Sequence, residues 1–256
     1  MIFPRIVKAL FRSILNERQR RSMKSFLYRN NLSKLALVYG SDKQGSHYYT
    51  QHYQRHFEAL RREELNILEI GIGGYEDPKA GGASLRMWKA YFPKSRIFGI
   101  DIYDKTYHDE ERIKTFQGSQ TDANFLKRVV EEIGPVDIII DDGSHYNDHV
   151  ITSFKTLFRL LTPKGIYVVE DTQTSYWSSV AGVQWGGSSD LTASYTSINF
   201  FKSLIDGLNY EEFTLDEYTP SYFDKHIIAM HFYHNLIFIY KGLNNEGSNT
   251  LGKRYS

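Results

Sequence analysis

From Asn66 onward, short apolar runs alternate with amphipathic stretches. Ile67–Ile72, Arg96–Ile102, Lys114–Gly118, Val136–Asp141 and Ile166–Glu170 are each bounded by Gly, Pro or Asp and read as strands. Between them, Ala83–Tyr91, Asp122–Ile133 and Asp148–Leu160 carry apolar residues at helical spacing. Strands that are apolar almost throughout fit a sheet covered on both faces. Strand–helix alternation predicts an α/β chain with a doubly wound, Rossmann-like sheet and right-handed crossovers. A further helix is predicted over about Ile198–Leu208. Ile227–Phe232 and Leu236–Tyr240, joined by Tyr233-His234-Asn235, predict a closing antiparallel hairpin. The sheet is then seven-stranded, mostly parallel, with a C-terminal antiparallel pair.

The chain before Asn66 has another character. Residues 5–28 set Ile6, Leu10, Ile14 and Phe26 among basic residues at helical spacing, which predicts a basic amphipathic arm over 1–34. This arm holds nine Lys/Arg against the single acid Glu17; with a net charge of +1 overall, the remainder is negative by about seven. Three settings stay open for it: its own domain or a sister subunit, an anionic membrane surface, and, with least support, nucleic acid. We expect a homo-oligomer, peripheral membrane contact as the alternative use of the arm, and no nucleic-acid partner. Tyr39-Gly40-Ser41-Asp42-Lys43 reads as a polar loop, followed by a His- and Tyr-rich helix ending near Leu60. The catalytic domain is expected over 35–243, with a polar tail over 244–256. The Ser-, Gly- and Trp-rich segment 172–195 is long for an irregular connection, and such segments serve as lids more often than as filler.

With no cysteine in 256 residues, disulfides, zinc–thiolate sites and Cys nucleophiles are excluded. No stretch approaches the roughly 18 apolar residues of a membrane span, and basic residues interrupt every apolar run of the N-terminus. The expected location is cytoplasmic, membrane-peripheral if the arm binds lipid.

Two constellations carry chemistry. The first strand ends in Glu69-Ile70-Gly71-Ile72-Gly73-Gly74. Glycines there let the backbone turn tightly and approach a ligand. Glu76 occupies the sixth position of a would-be dinucleotide fingerprint, and the helix is delayed to Ala83, which argues against a pyrophosphate. Asp101 closes the second strand, thirty residues after Gly71; a carboxylate there suits a ribose diol. Gly118-Ser119-Gln120 closes the third, where an adenine edge would lie. Glu69 is either a satisfied core acid or a cofactor contact.

The second constellation is Asp141-Asp142-Gly143-Ser144-His145 after the fourth strand and Glu170-Asp171 after the fifth. Adjacent strand ends open onto one crevice, so four carboxylates are expected to converge there. Their mutual repulsion calls for a divalent cation, and all-oxygen ligation favours Mg²⁺, Mn²⁺ or Ca²⁺ over zinc. His145, one turn beyond Asp142, is a candidate general base; His47, His52 and His56 compete for that role.

The Glu-x-Gly-x-Gly-Gly turn, Asp101, Gly118-Ser119-Gln120 and the terminal hairpin resemble the class I S-adenosylmethionine (SAM)-dependent methyltransferases over roughly residues 35–240. Asp-Asp-Gly-Ser-His followed by Val-Val-Glu-Asp, with Tyr39-Gly40-Ser41-Asp42-Lys43 and Gly81-Gly82-Ala83-Ser84-Leu85-Arg86-Met87-Trp88, resembles more narrowly the metal-dependent sugar O-methyltransferases of macrolide biosynthesis, the mycinamicin 2''-O-methyltransferase type. The resemblance implies Mg²⁺ (or Mn²⁺) ligands at Asp142, Glu170 and Asp171, and His145 as base. It implies SAM contacts from Tyr39, Ser41, Asp42, Glu69, Gly71, Gly73, Asp101, Gly118, Ser119, Gln120 and Asp141, the last on the cofactor side or behind the ligands. The expected reaction is methyl transfer to a sugar hydroxyl of a glycan, nucleotide sugar or glycosylated natural product. A catechol-type or phenolic O-methyltransferase and a non-catalytic SAM-binding subunit are the alternatives.

Overall fold

The computed structural model describes residues 16–215 and 217–248. Ile6, Leu10 and Ile14 of the predicted arm, and most of the predicted tail, lie outside the described residues. The chain forms two compact units. One comprises residues up to Glu63 together with Gly82–Lys94, the other Glu64–Gly81 together with the chain from Ser95 onward.

The first unit is helical: α1 (Glu17–Tyr28), α2 (Leu32–Tyr39), α3 (Thr50–Phe57) and α4 (Ala83–Tyr91). Asn16 starts α1 with a reciprocal cap, its side chain accepting from the Gln19 N–H at 2.9 Å while Gln19 Oε1 accepts from the Asn16 N–H at 3.0 Å. Asn31 caps α2 through the Lys34 N–H, and Gly40, at φ +75°, ends it in the left-handed conformation. A single 3-10 turn, Glu58–Leu60, prolongs α3 to the predicted end. Leu32, Leu35, Tyr53, Phe57, Trp88 and Tyr91 are fully buried, with the Trp88 ring edge-on to Tyr53 at 5.0 Å.

The second unit holds β1 (Asn66–Ile70), β2 (Arg96–Asp101), β3 (Ile113–Gln117), α5 (Ala123–Ile133), β4 (Val136–Asp141), α6 (Asn147–Leu160) and β5 (Leu161–Glu170). These are followed by the short pair β6 (Ser179–Val180) and β7 (Val183–Gln184), then α7 (Ser197–Asp206), α8 (Tyr222–His226), β8 (Ile227–Tyr233) and β9 (Leu236–Lys241). Seven strands form one sheet in the order β3-β2-β1-β4-β5-β9-β8. β1 to β5 are parallel, and β9 runs antiparallel to both β5 and β8. The strand order reverses between β1 and β4, the place where such sheets open a crevice at their carboxyl edge.

Side chains alternate across the sheet. Ile70, Ile100, Ile139, Tyr167, Val169 and Ile237 pack with α5, α6 and α7; Ile67, Ile97, Ile138, Ile140 and Val168 are buried on the opposite face. The C-terminal end of α6 leaves carbonyls without helical donors. Buried Lys241 covers them, its Nζ donating to Phe158, Arg159 and Leu161 carbonyls at 3.0, 2.9 and 2.6 Å.

The helix α2 (Leu32–Tyr39) is not expected from the sequence, and three details of the second unit differ as well. β1 ends at Ile70, two residues early, because Gly71 turns out at φ +89°. β5 begins at Leu161, paired to Val136 ahead of a register shift. The segment 172–195 is not wholly irregular; it holds a 3-10 turn at Thr172–Tyr176 and the β6–β7 pair.

Candidate active site

The turn after β1 is shaped by contacts that allow no side chain. A Cβ on Gly71 would lie 2.0 Å from the Asp142 carbonyl oxygen, and one on Gly81 would lie 2.3 Å from the Gly73 carbonyl oxygen. Asp101 ties the turn to β2: its Oδ2 accepts from the Ile72 N–H at 2.9 Å and its Oδ1 from the Tyr103 N–H at 3.0 Å. Each oxygen keeps a further lone pair, so the half-exposed carboxylate can still accept from a ribose diol. Gly118 donates to the Asp101 carbonyl at 2.8 Å, and Phe125 lies where its Cβ would be. Ser119 bonds Thr121 through its hydroxyl. The rest of the glycine loop is fastened from behind. Lys105, 2% exposed, donates from Nζ to the Tyr75, Asp77 and Ala80 carbonyls at 2.7, 2.8 and 3.3 Å. His108 Nε2 adds a contact to the Ala80 carbonyl at 3.1 Å.

At the ends of β4 and β5 the acids separate by strand parity. Asp141 points to the helix-covered face. It accepts from Gln120 Nε2 at 3.2 Å, from the Tyr167 hydroxyl at 3.2 Å and from the Ser153 hydroxyl. Burial pushes its carboxyl above the usual carboxylate range, against the effect of the Ser153 and Tyr167 bonds. The expected convergence of four carboxylates is therefore corrected: Asp141 is held inside the protein, one residue out of phase with the others. Gln120 belongs to the same brace, its Oε1 accepting from the Ser144 N–H at 2.8 Å.

Glu69 takes the vacated place. Two groups of ligand atoms, each mutually within 4.8 Å, share Asp142: Asp142 with His145 and Asp171, and Asp142 with Glu69 and Glu170. The structure thus brings Asp142 to Asp171 in one group and to Glu170 in the other, and adds Glu69 to the latter. Glu69 and Glu170 are 0% and 2% exposed. A set of four carboxylates and one imidazole, two of the carboxylates buried, fits a hard divalent cation. A Glu inside an otherwise apolar strand was the one sequence signal for this.

His145 Nε2 lies 4.0 Å from Asp142 Oδ1 and 3.8 Å from Asp171 Oδ2. Both His145 (φ +59°) and Asp171 (φ +54°) adopt the left-handed backbone, a conformation costing roughly 1–3 kcal/mol per residue and concentrated at functional sites. Neighbours enforce it: the Thr174 hydroxyl donates to the His145 carbonyl at 2.7 Å. Asn147, 3% exposed, anchors the segment over 172–195 and the start of α7. Its Oδ1 accepts from the Ser175 hydroxyl at 2.9 Å and the Ser197 N–H at 2.7 Å, and its Nδ2 donates to the Trp185 carbonyl at 3.3 Å. Trp185 lies 5.6 Å from the Tyr146 ring and 6.3 Å from that of Trp177. Sequence reasoning missed Lys105 and Asn147, whose partners are carbonyls and loop atoms distant in sequence.

Tyr39, Ser41 and Asp42 belong to the helical unit, as do His47, His52 and His56. Tyr39 pairs its hydroxyl with Ser25 Oγ at 2.8 Å; Ser41 is buried and Asp42 exposed.

No protein-family model matches the chain. Its fold is that of a methyltransferase: it matches MycE methyltransferase of the mycinamycin biosynthetic pathway, solved with Mg and SAH, at a TM-score of 0.82 and 46% identity over 88% of this chain and 57% of that one. A further MycE structure, with Mg, SAH and mycinamycin VI, matches at a TM-score of 0.78 and 46% identity over 86% of this chain and 57% of that one. Among curated proteins, mycinamicin VI 2''-O-methyltransferase of Micromonospora griseorubida is 48% identical over 220 residues, 85% of this chain and 54% of the relative. A tetracenomycin rhamnosyl 3'-O-methyltransferase, 8-demethyl-8-(2-methoxy-alpha-L-rhamnosyl)-tetracenomycin-C 3'-O-methyltransferase of Streptomyces olivaceus, is 47% identical over 221 residues, 85% of this chain and 55% of the relative. The resemblance to macrolide-sugar O-methyltransferases is thus carried by both sequence and fold. The chain spans about half the length of the curated relatives it matches.

Proposed function

We propose that the chain is a SAM- and Mg²⁺-dependent O-methyltransferase acting on a sugar hydroxyl of a glycosylated natural product. The observation that carries this reading is the pair of ligand groups sharing Asp142, one with His145 and Asp171 and one with Glu69 and Glu170, at the carboxyl edge of a methyltransferase sheet, beside the glycine turn and Asp101. The relatives' names supply the acceptor class, macrolide and polyketide sugars. A glycan or nucleotide-sugar acceptor is the broader form of the same reading.

Asp142, Glu170 and Asp171 would hold the cation, with Glu69 closing the set from β1. Gly71, Gly73 and Asp101 would hold SAM, and Gln120 and Asp141 would keep the Asp142–His145 loop in place behind it. When bound, the cation supplies Lewis acidity to an acceptor hydroxyl and SAM supplies the electrophilic methyl group. His145 takes the hydroxyl proton at Nε2, and the carboxylates 3.8 and 4.0 Å away stabilise the imidazolium that results. Trp177 and Trp185, the latter tied by its carbonyl to Asn147, would exclude water and present ring faces to the sugar.

The test is methyl transfer from labelled SAM to a panel of glycosylated macrolides, free deoxysugars and catechols, with and without EDTA. Turnover on glycosides that is lost in EDTA and restored by Mg²⁺ or Mn²⁺ supports the proposal. Turnover on catechols alone moves the acceptor class, and full activity in chelator overturns the metal's role.

A further inference from the structure

We infer that α1 is a peripheral membrane anchor that lays an outward apolar stripe on an anionic lipid surface. A surface helix of a soluble protein ordinarily turns its apolar stripe inward. In α1 the arrangement is reversed. Ser25 and Tyr28 face the unit: Ser25 Oγ bonds the Tyr39 hydroxyl at 2.8 Å, and Lys34 Nζ sits 5.1 Å from the Tyr28 ring. Met23, Phe26 and Leu27, spaced i, i+3 and i+4 and so sharing one face, are 37%, 66% and 63% exposed. No residue of α1 is buried.

Cations flank the stripe. On helical spacing Arg20 and Lys24 lie beside Leu27, and the Arg29 guanidinium lies 4.4 Å from the Phe26 ring centroid. This is the arrangement of an interfacial helix, apolar centre and basic margins. A second copy fits it poorly, because a two-fold contact across the stripe would bring the cations Arg20, Lys24 and Arg29 of one copy towards those of the other, and α1 offers only Glu17 as counter-charge. Anionic headgroups neutralise those cations instead. The preceding sequence, outside the described residues, continues the same composition: Ile2, Phe3, Ile6, Val7, Leu10, Phe11, Ile14 and Leu15 with Arg5, Lys8 and Arg12, and no acid. The charge of the chain divides accordingly, the basic arm against a remainder negative by about seven, so an anionic surface attracts the arm and repels the rest.

The test is flotation of the full chain with vesicles of phosphatidylcholine alone and of phosphatidylcholine with phosphatidylglycerol, together with sedimentation velocity in their absence. The expected result is binding to the anionic vesicles only, weakened by salt. Arg20→Glu or Lys24→Glu should lower partitioning about five-fold or more per charge removed, and Phe26→Glu with Leu27→Glu about tenfold or more, with methyl transfer to a soluble acceptor and the unfolding temperature unchanged. Absence of binding to anionic vesicles overturns the inference. So does a dimer in solution that Phe26→Glu with Leu27→Glu splits, because the stripe then serves a second copy.

Discussion

Replacing Lys105 by Met should loosen the cofactor turn without touching the reacting groups. Met keeps the length of the side chain and removes the ammonium. The three carbonyls that Lys105 serves are not equally dependent on it. Ala80 keeps His108 Nε2 at 3.1 Å, and Asp77 keeps the Ala80 N–H at 3.2 Å. Tyr75 relies on Lys105 at 2.7 Å. One stranded carbonyl costs about 1–3 kcal/mol, and the two weakened charge-assisted contacts add to it, so a total near 2–4 kcal/mol is expected. The loss falls on a loop whose glycines nearly touch: Gly81 would press any Cβ onto the Gly73 carbonyl at 2.3 Å. If half of it appears in cofactor binding, the SAM dissociation constant rises about tenfold, since about 1.4 kcal/mol corresponds to a factor of ten. Calorimetric SAM titration and steady-state kinetics on Lys105→Met and Lys105→Arg check this. The expected pattern is a raised KM for SAM, a kcat at saturating SAM within about threefold of wild type, and partial rescue by Arg. A Met variant with native SAM affinity and a native unfolding temperature refutes the reasoning, because the three bonds would then do nothing. A fall in kcat with unchanged SAM affinity refutes it too, because the effect would lie in the chemistry.

Asp101→Ala, by removing the acceptor left for a ribose diol, should weaken SAM about tenfold or more, read by calorimetry; unchanged affinity places the ribose elsewhere. His145→Ala should lower single-turnover rate about 10²–10⁴-fold while Mn²⁺ and SAM affinities stay near native, and weakened Mn²⁺ binding would instead make His145 a ligand, as its place among the acids also permits. Tyr91→Phe should stabilise the chain by about 1 kcal/mol near neutral pH, because the Tyr91 hydroxyl is buried with no hydrogen-bond partner among the described residues. Burial, aided by Glu58, pushes the Tyr91 hydroxyl up to about 12, above the value near 10 of an unfolded chain. Folding therefore opposes deprotonation: the wild type loses further stability as pH rises from about 10 to about 12, and urea unfolding across that window should show a shallower loss for Tyr91→Phe, which has no phenol to ionise.

The inner strands β1, β2, β4 and the second half of β5 were legible because burial leaves each a nearly unbroken apolar run, and Pro135 and Gly134 mark where β4 begins. α4 was legible at both ends, since Gly82 precedes it and apolar positions recur at helical spacing. α2 was not, because Leu32–Tyr39 is short and nearly uniform in hydrophobicity, and its start depends on the Asn31 side chain rather than on any period. The first five residues of β5 were missed because Thr162, Pro163 and Lys164 carry no apolar alternation. At the site, residue types and strand ends could be read, and orientation could not. Lys241 shows the limit plainly: its carbonyl partners lie 80 to 83 residues away, a distance that no local pattern spans.

The paired acids at the two strand ends have a structural logic that residue type alone conceals. In a strand, neighbours face opposite sides, so an acid doublet at a strand end sends one carboxylate each way. At β4 the inward member, Asp141, is locked by Ser153, Gln120 and Tyr167, and the Gln120 amide in turn holds the Ser144 N–H of the following loop. Asp142 is then presented on the other face, where Glu69 and Glu170 already point. At β5 the same result is reached differently. Glu170 has the parity of Val168 and faces the acid group directly, while Asp171 leaves the strand in a left-handed turn that carries it to the His145 side. Asp142 is shared by the two ligand groups because it sits at the end of the central strand pair, between β1 and β5. The braced acid and the presented acid therefore have different tasks: Asp141 holds the loop through its hydrogen bond with Gln120, and Asp142 is the one placed to meet the proposed cation.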